Sequence, residues 1–229
     1  MASEFVGDPS WVRGLVSCDD NVRRNALERH RALIEGATSA LRWSNDVWRR
    51  AGRPAPDEPH LSAEWDQATA SHRYHVGQTI FGLVDSLWDD DSEVRERHAP
   101  FVLFYLVWEG RYPDDWRAPE NNMWSAWGRK EVILRRMGEA GVPEAIRPQL
   151  TDLITDVVRR RHRCKDWMYA GLVRHLGERV RDRMRELLDD GDPLVRLRAE
   201  FLLHVAAHPG VKVSRKSWQR WLAGVDAPR

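Results

Sequence analysis

The sequence predicts an all-α protein. Three observations carry this reading. Apolar and small residues recur at helical spacing along most of the chain. No Asn-Gly hairpin turn and no run of alternating β-branched residues is present. Prolines, glycines and short polar caps fall between the periodic stretches, where helices begin and end.

Asp8-Pro9-Ser10 opens a first short helix to about Val16. A long helix follows from Asn21, with Leu27, Ile34, Ala37, Leu41 and Trp48 on one stripe. Residues 52–60 (GRPAPDEPH) carry three prolines and form a linker. Ser62 is expected to cap a helix running to about Trp88, and Ser92 one ending near Glu109. Residues 110–119 (GRYPDDWRAP) form a second loop. Pro119 starts a helix through Met137, which Gly138 and Gly141 stop. Helices over about 143–163 and 165–188 follow, and another begins at Pro193. Ser214 caps a last short helix bearing Trp218 and Trp221. The expected organisation is one helical domain over residues 1–229.

A turn pattern recurs in three places. Asp19-Asp20 precedes Val22-Arg23 and Ala26. Asp89-Asp90-Asp91 precedes Val94-Arg95 and Ala99, with His98 where the other copies have alanine. Asp189-Asp190 precedes Val195-Arg196 and Ala199. An Asp here caps the following helix and brings negative charge to its positive end. The alanine lets paired helices approach closely, and the arginine is expected to bond the acidic turn of a neighbouring repeat. This pattern resembles HEAT repeats, and it implies an α-α superhelix. The copies lie about seventy and about a hundred residues apart, against roughly forty in a regular HEAT unit, so the repeats are irregular.

The composition narrows the function. Of 229 residues, 42% are apolar and 31% charged, a globular balance. The net charge is +1, which lacks the basic excess of most proteins that clamp duplex DNA. Two distant cysteines, Cys18 and Cys164, form neither a disulfide framework nor a zinc motif. No basic n-region opens the chain, and no apolar run spans a bilayer, so a cytoplasmic location is expected, without membrane contact.

Twelve tryptophans stand against four tyrosines and five phenylalanines. Several lie beside acids: Trp65-Asp66, Trp88-Asp89, Trp108-Glu109, Asp115-Trp116 and Asp166-Trp167. Trp124 and Trp127 lie three apart, and Tyr74 and His75 join the aromatic set. Each ring alone fits a core position. Together, rings and carboxylates suit an amine-bearing or cationic small molecule, because the acid attracts the charge and the rings exclude water. Burial against indole also raises a carboxyl pKa, as a general acid near neutral pH requires. The candidate acid–base pair is Glu109 and Asp115, with Asp166 in reserve. The candidate walls are Trp65, Asp66, Tyr74, His75, Trp108, Trp116, Trp124, Trp127 and Trp167. No cofactor and no metal is expected, although His72 and His75 have the spacing of a metal pair. Arg159, Arg160, Arg161 and Arg163 form a basic run that offers nucleic acid as a secondary partner. Its more economical reading is a solvated helix face.

The resemblance to HEAT-like proteins implies three functions. HEAT-like self-resistance factors of antibiotic-producing actinobacteria include hydrolases that open the aziridine of alkylating natural products. Paired carboxylates fit that chemistry, which makes aziridine or epoxide hydrolysis the leading expectation. AlkD-type alkylpurine DNA glycosylases are the first alternative, and a non-catalytic interaction scaffold is the second.

Overall fold

A computed structural model of the chain describes residues 8–52, 58–89 and 91–224. Residues 53–57 of the expected linker, Asp90 and the side chain of Trp88 lie outside the described residues. The protein is all-helical, with no strand among the described residues. It divides into two compact units. The first takes the chain up to Val94 together with Phe104–Trp124, and the second takes Arg95–Leu103 and the chain from Ser125 onward.

The first unit opens with a 3-10 helix, Pro9–Val16, capped by the Asp8 side chain on Ser10 N. Helix α1, Asp20–Ala51, is capped by Asp19. Its buried stripe is Ala26, Leu27, His30, Ile34, Ala37, Ala40 and Val47. The expected stripe holds at Leu27, Ile34 and Ala37 but slips by one residue later, leaving Leu41 43% exposed. Helix α2, Pro59–Gly77, runs antiparallel to α1. Gly36 packs on His75, Ser44 meets Thr69, and Arg50 reaches Glu64.

The helix expected over residues 62–88 begins earlier and is interrupted. Pro59 takes the first turn, and Gly77 ends α2. Thr79 then caps α3, Ile80–Val84, by accepting from Phe81 N and Gly82 N. A Cβ on Gly82 would lie 2.6 Å from Gly77 Cα and 2.7 Å from the Val76 carbonyl. The corner is therefore tighter than any side chain at position 82 allows. Helix α4, Ser92–Arg111, is capped by Asp91 rather than Ser92. The expected loop 110–119 contains a short helix, α5, Pro113–Arg117, and a 3-10 turn follows at Pro119–Asn121.

In the second unit, Ser125 caps α6, Ala126–Ala140, so the helix expected from Pro119 starts seven residues later. Helix α7, Arg147–Arg159, is followed by a loop in which Lys165 holds a positive φ of 68°. A 3-10 helix, Asp166–His175, packs against α6 and leads into α8, Gly177–Glu186. Helices α9, Pro193–Ala207, and α10, Arg215–Leu222, complete the unit. Ser214 and Ser217 close α10 with a reciprocal capping box, so this expected cap is present.

The three acidic turns share one geometry, and only in the third does the cap lie outside the expected acidic pair. The caps are Asp19, Asp91 and Asp192. Two residues before each cap, a side-chain oxygen accepts from the cap N–H: Ser17, Asp89 and Asp190. Ala26, Ala99 and Ala199 are all buried. Arg23 and Arg196 bond back to the carbonyls of Ser17 and Asp190 in their own turns. Arg23 also reaches beyond its own turn, its Nε lying 3.7 Å from the carboxylate of Asp115.

Candidate active site

The expected acid–base pair lies at the corner between α4 and α5, within the first unit. Trp108 and Glu109 occupy the last turns of α4 and are completely buried. Tyr112 turns the corner, and Pro113 suits the first position of α5 because that N–H would have no helical partner. The corner is pinned onto the end of the first 3-10 helix. Tyr112 donates its hydroxyl to the Ser17 carbonyl at 2.7 Å, and Arg111 Nη1 donates to the Val16 carbonyl at 3.0 Å.

Asp115 stands at the edge of this corner with its side chain 35% exposed, and Arg23 Nε lies 3.7 Å from its carboxylate. The Arg23 guanidinium also lies 4.2 Å from the Tyr112 ring centroid and 2.6 Å from Asp20. These contacts push its pKa above the ordinary value, the hydrogen bond to Asp20 being the largest cause. Behind Asp115 the backbone is held by two amides that the sequence reading did not single out. Asn121, completely buried, donates to the Asp115 carbonyl at 2.6 Å and accepts from Arg31 at 2.8 Å. Asn122 donates to the carbonyls of Trp116 and Ala118. Two asparagines in a Pro-rich stretch were a legible turn signal, but their partners were not.

Beneath the corner lies an aromatic cluster centred on His30. Its ring centroid is 5.5 Å from those of Phe81 and Trp108 and 6.1 Å from that of Trp11. His30 is completely buried, and its Nε2 is 3.0 Å from the Asn121 carbonyl. A carbonyl can only accept, so Nε2 carries the proton and Nδ1 is a bare acceptor. Burial pushes the His30 pKa down to about 4. His30 lies within the apolar stripe of α1, three residues after Leu27, and that position was its sequence signal.

The expected wall residues are divided between the two units. Trp108 and Trp116 are core residues; Trp116 packs on Tyr105 with centroids 5.6 Å apart. Trp124 is 51% exposed, with its ring 6.2 Å from Phe81. On α2, Trp65 meets Trp48 at 6.1 Å, Asp66 is exposed, and Tyr74 stands edge-on to His75. Neighbouring Glu64, not foreseen, accepts from Trp43 Nε1 at 2.8 Å and from Arg50. Both bonds hold its carboxyl below the usual range, the Trp43 bond being the larger cause.

Asp166, Trp127 and Trp167 belong to the second unit. Asp166 is buried at the start of its 3-10 helix, and its carboxylate accepts three donors. Lys130 Nζ lies at 2.6 Å, Arg160 Nη2 at 3.0 Å and Arg163 N at 2.8 Å. Lys130 is completely buried, with its ammonium 5.5 Å from the Trp127 ring and 5.4 Å from that of Tyr169. Trp167, beside Asp166, is half-buried. Lys130 is a residue not foreseen from the sequence, although its place on the stripe of Ala126, Ile133, Leu134 and Met137 was the signal. Arg198 caps the end of α7 by donating to the carbonyls of Val158 and Arg160. His162 stacks on Trp218 at 5.3 Å, and its pKa is lowered chiefly by burial.

The basic run also divides. Arg160 turns toward Asp166, while Arg159 and Arg161 are exposed, Arg159 lying 3.9 Å from Asp190. Arg163 is half-buried and contributes its backbone N–H to Asp166. Among the described residues no three His, Cys, Asp or Glu side chains come together as a metal site. Both cysteines are free and exposed. No helix among the described residues is long and apolar enough to cross a membrane.

Comparison with protein-family models, with curated proteins and with solved structures finds no match to this chain. The chemistry of the residues themselves is therefore the basis for a functional reading.

Proposed function

We propose that the chain is a HEAT-like helical hydrolase that opens a strained, electrophilic ring in a small molecule, with Glu109 and Asp115 as its acid–base pair. One observation carries this reading. Six residues apart on one corner, Glu109 is fully withdrawn from water while Asp115 stands at the water boundary beside Arg23. Two carboxyls in unlike environments can divide the roles of acid and base. Glu109 delivers a proton to the ring nitrogen or oxygen. Asp115 takes a proton from a water molecule as that water attacks a ring carbon. One C–O bond forms, one ring bond breaks, and the product is the water adduct. In a producer of alkylating natural products such a reaction would confer self-resistance. The shared hydrogen-bond geometry of the three acidic turns supports the repeat half of the reading.

The test is turnover of a model aziridine and a model epoxide by the wild type and by Glu109→Gln and Asp115→Asn. Removing a general acid or base costs about 10²–10⁴ in rate, so each variant is expected to lose at least about a hundredfold. Full activity in either variant overturns the assignment. Release of N3- or N7-alkylated purine from alkylated DNA would establish the glycosylase alternative instead.

A second reading, a non-catalytic interaction scaffold, is favoured by one observation: Asp115 and Asp166 are both engaged by arginine or lysine within the fold. On that reading Asp115→Asn lowers stability, and no ring-opening activity exists to lose.

A further inference from the structure

The first 3-10 helix and the start of α1 enclose an open groove of about 550 Å³. Small-molecule sites fall in the range of about 300–1,000 Å³. Its lining divides by chemistry. Gly14, Val22 and Ala26 form an apolar wall, on which Val22 is 47% exposed. Ser10, Trp11, Ser17, Asn25, Arg13 and Arg29 complete the lining. Arg29 lies over the Trp11 ring at 5.3 Å from its centroid. No carboxylate is among the lining residues.

The neighbouring charges are few. Arg23, next to Val22, is engaged by Asp20 and Asp115. Arg13 and Arg29 make no ion pair within 4.0 Å among the described residues. The Asp8 carboxylate accepts from Ser10 Oγ and N, which chiefly lower its pKa, and Arg29 and Arg13 add to that effect. Two arginines and no carboxylate among the lining residues give the groove a positive charge.

We infer that this groove binds a small organic anion, a carboxylate or phosphate monoester on a ring-sized apolar body. Arg13 and Arg29 hold the anionic group, and the wall of Gly14, Val22 and Ala26 with the Trp11 ring holds the body. A planar fork of N–H donors matches carboxylate and phosphate oxygens, and an indole face beside it adds stacking. The groove's charge is opposite to that of a protonated amine. This site is therefore distinct from the carboxylate pair, and its existence does not depend on the ring-opening reaction.

The experiment is calorimetric titration of the full chain with benzoate and with phenyl phosphate, inorganic phosphate and benzyl alcohol being the controls. At least one ringed anion is expected to bind with a sub-millimolar Kd, and the tighter of the two identifies the anionic group. Arg13→Ala and Arg29→Ala are at the surface and leave the core untouched. Each is expected to weaken binding by about tenfold, the equivalent of about 1.4 kcal/mol. The proposal is overturned if neither ringed anion binds at about 10 mM, if the double variant binds as tightly as the wild type, or if inorganic phosphate binds as well as phenyl phosphate.

Discussion

Buried polar side chains give the sharpest residue-scale predictions. Asp166 neutralises a lysine that has no exposed surface, so Asp166→Asn leaves that ammonium buried beside a weaker partner. Breaking one side of a buried pair costs about 3–5 kcal/mol, whereas replacing both sides with apolar residues of similar size is often neutral. Chemical denaturation should therefore show a large loss for Asp166→Asn and partial recovery in the Lys130→Met, Asp166→Leu double variant. If the single variant unfolds like the wild type, the pair does not hold the second unit together. His30 makes a pH prediction. Its pKa falls from 6.5 in the unfolded chain to about 4 when folded, so the unfolded state binds the extra proton between these values. Its contribution to stability is complete above pH 6.5 and is lost progressively as pH falls toward 4, with a slope of up to about 1.4 kcal/mol per pH unit. His72, His162 and His204 are lowered in the same direction, chiefly by burial. The difference in slope between the wild type and His30→Gln isolates the His30 share, and equal slopes would contradict the assignment.

At the scale of elements, the acidic turns and the corner between α2 and α3 are the informative features. Asp19 and Asp192 each satisfy N–H groups at the start of a helix that would otherwise lack partners. Substituting either by alanine should cost about 1 kcal/mol, read as a lowered denaturation midpoint. The same change at Asp20 removes no cap and should cost less. Gly82→Ala forces a methyl group against backbone, which cannot move aside as a side-chain tip can. Overpacking of this kind costs about 1–3 kcal/mol and should appear as a reduced Tm. Element starts were legible where proline or serine marked them, as at Pro9, Pro193 and Ser214. The breaks at Gly77–Thr79 and before Ser125 were not. Local periodicity continues through both, and a close backbone approach or a short 3-10 turn leaves no apolar signature in the sequence.

For the whole molecule, charge makes the clearest prediction. The net charge is +1, Arg160 is turned inward and Arg159 lies near Asp190, which leaves the exposed Arg161 as the main positive surface of the basic run. Non-specific DNA binding depends on releasing counterions through such surface. Duplex DNA is expected to show no retardation by the chain at about 0.15 M salt, where the Debye length is about 8 Å. A shift that persists at that salt would restore the nucleic-acid alternative. The two carboxylates of the proposed pair share one unit, while Asp166 and Trp127 share the other. Trp108 and Trp116 went to the core because an indole buries more apolar area than most neighbours can.

By itself the sequence determined the helical class, most helix starts, the stripe of α1 as far as Ala37 and the acidic turn as a capping motif. Each of these depends on neighbours within a turn or two, which spacing and residue type specify. The tertiary structure alone decided which acids are buried, which arginines they meet and which rings remain at the surface. Glu109 and Asp115 look alike in sequence, both beside tryptophan, yet one is sealed and the other faces water. Lys130 and Asp166 are 36 residues apart and Arg23 and Asp115 are 92 apart. Burial and ion pairing arise between segments far apart in the chain, where periodicity carries no information.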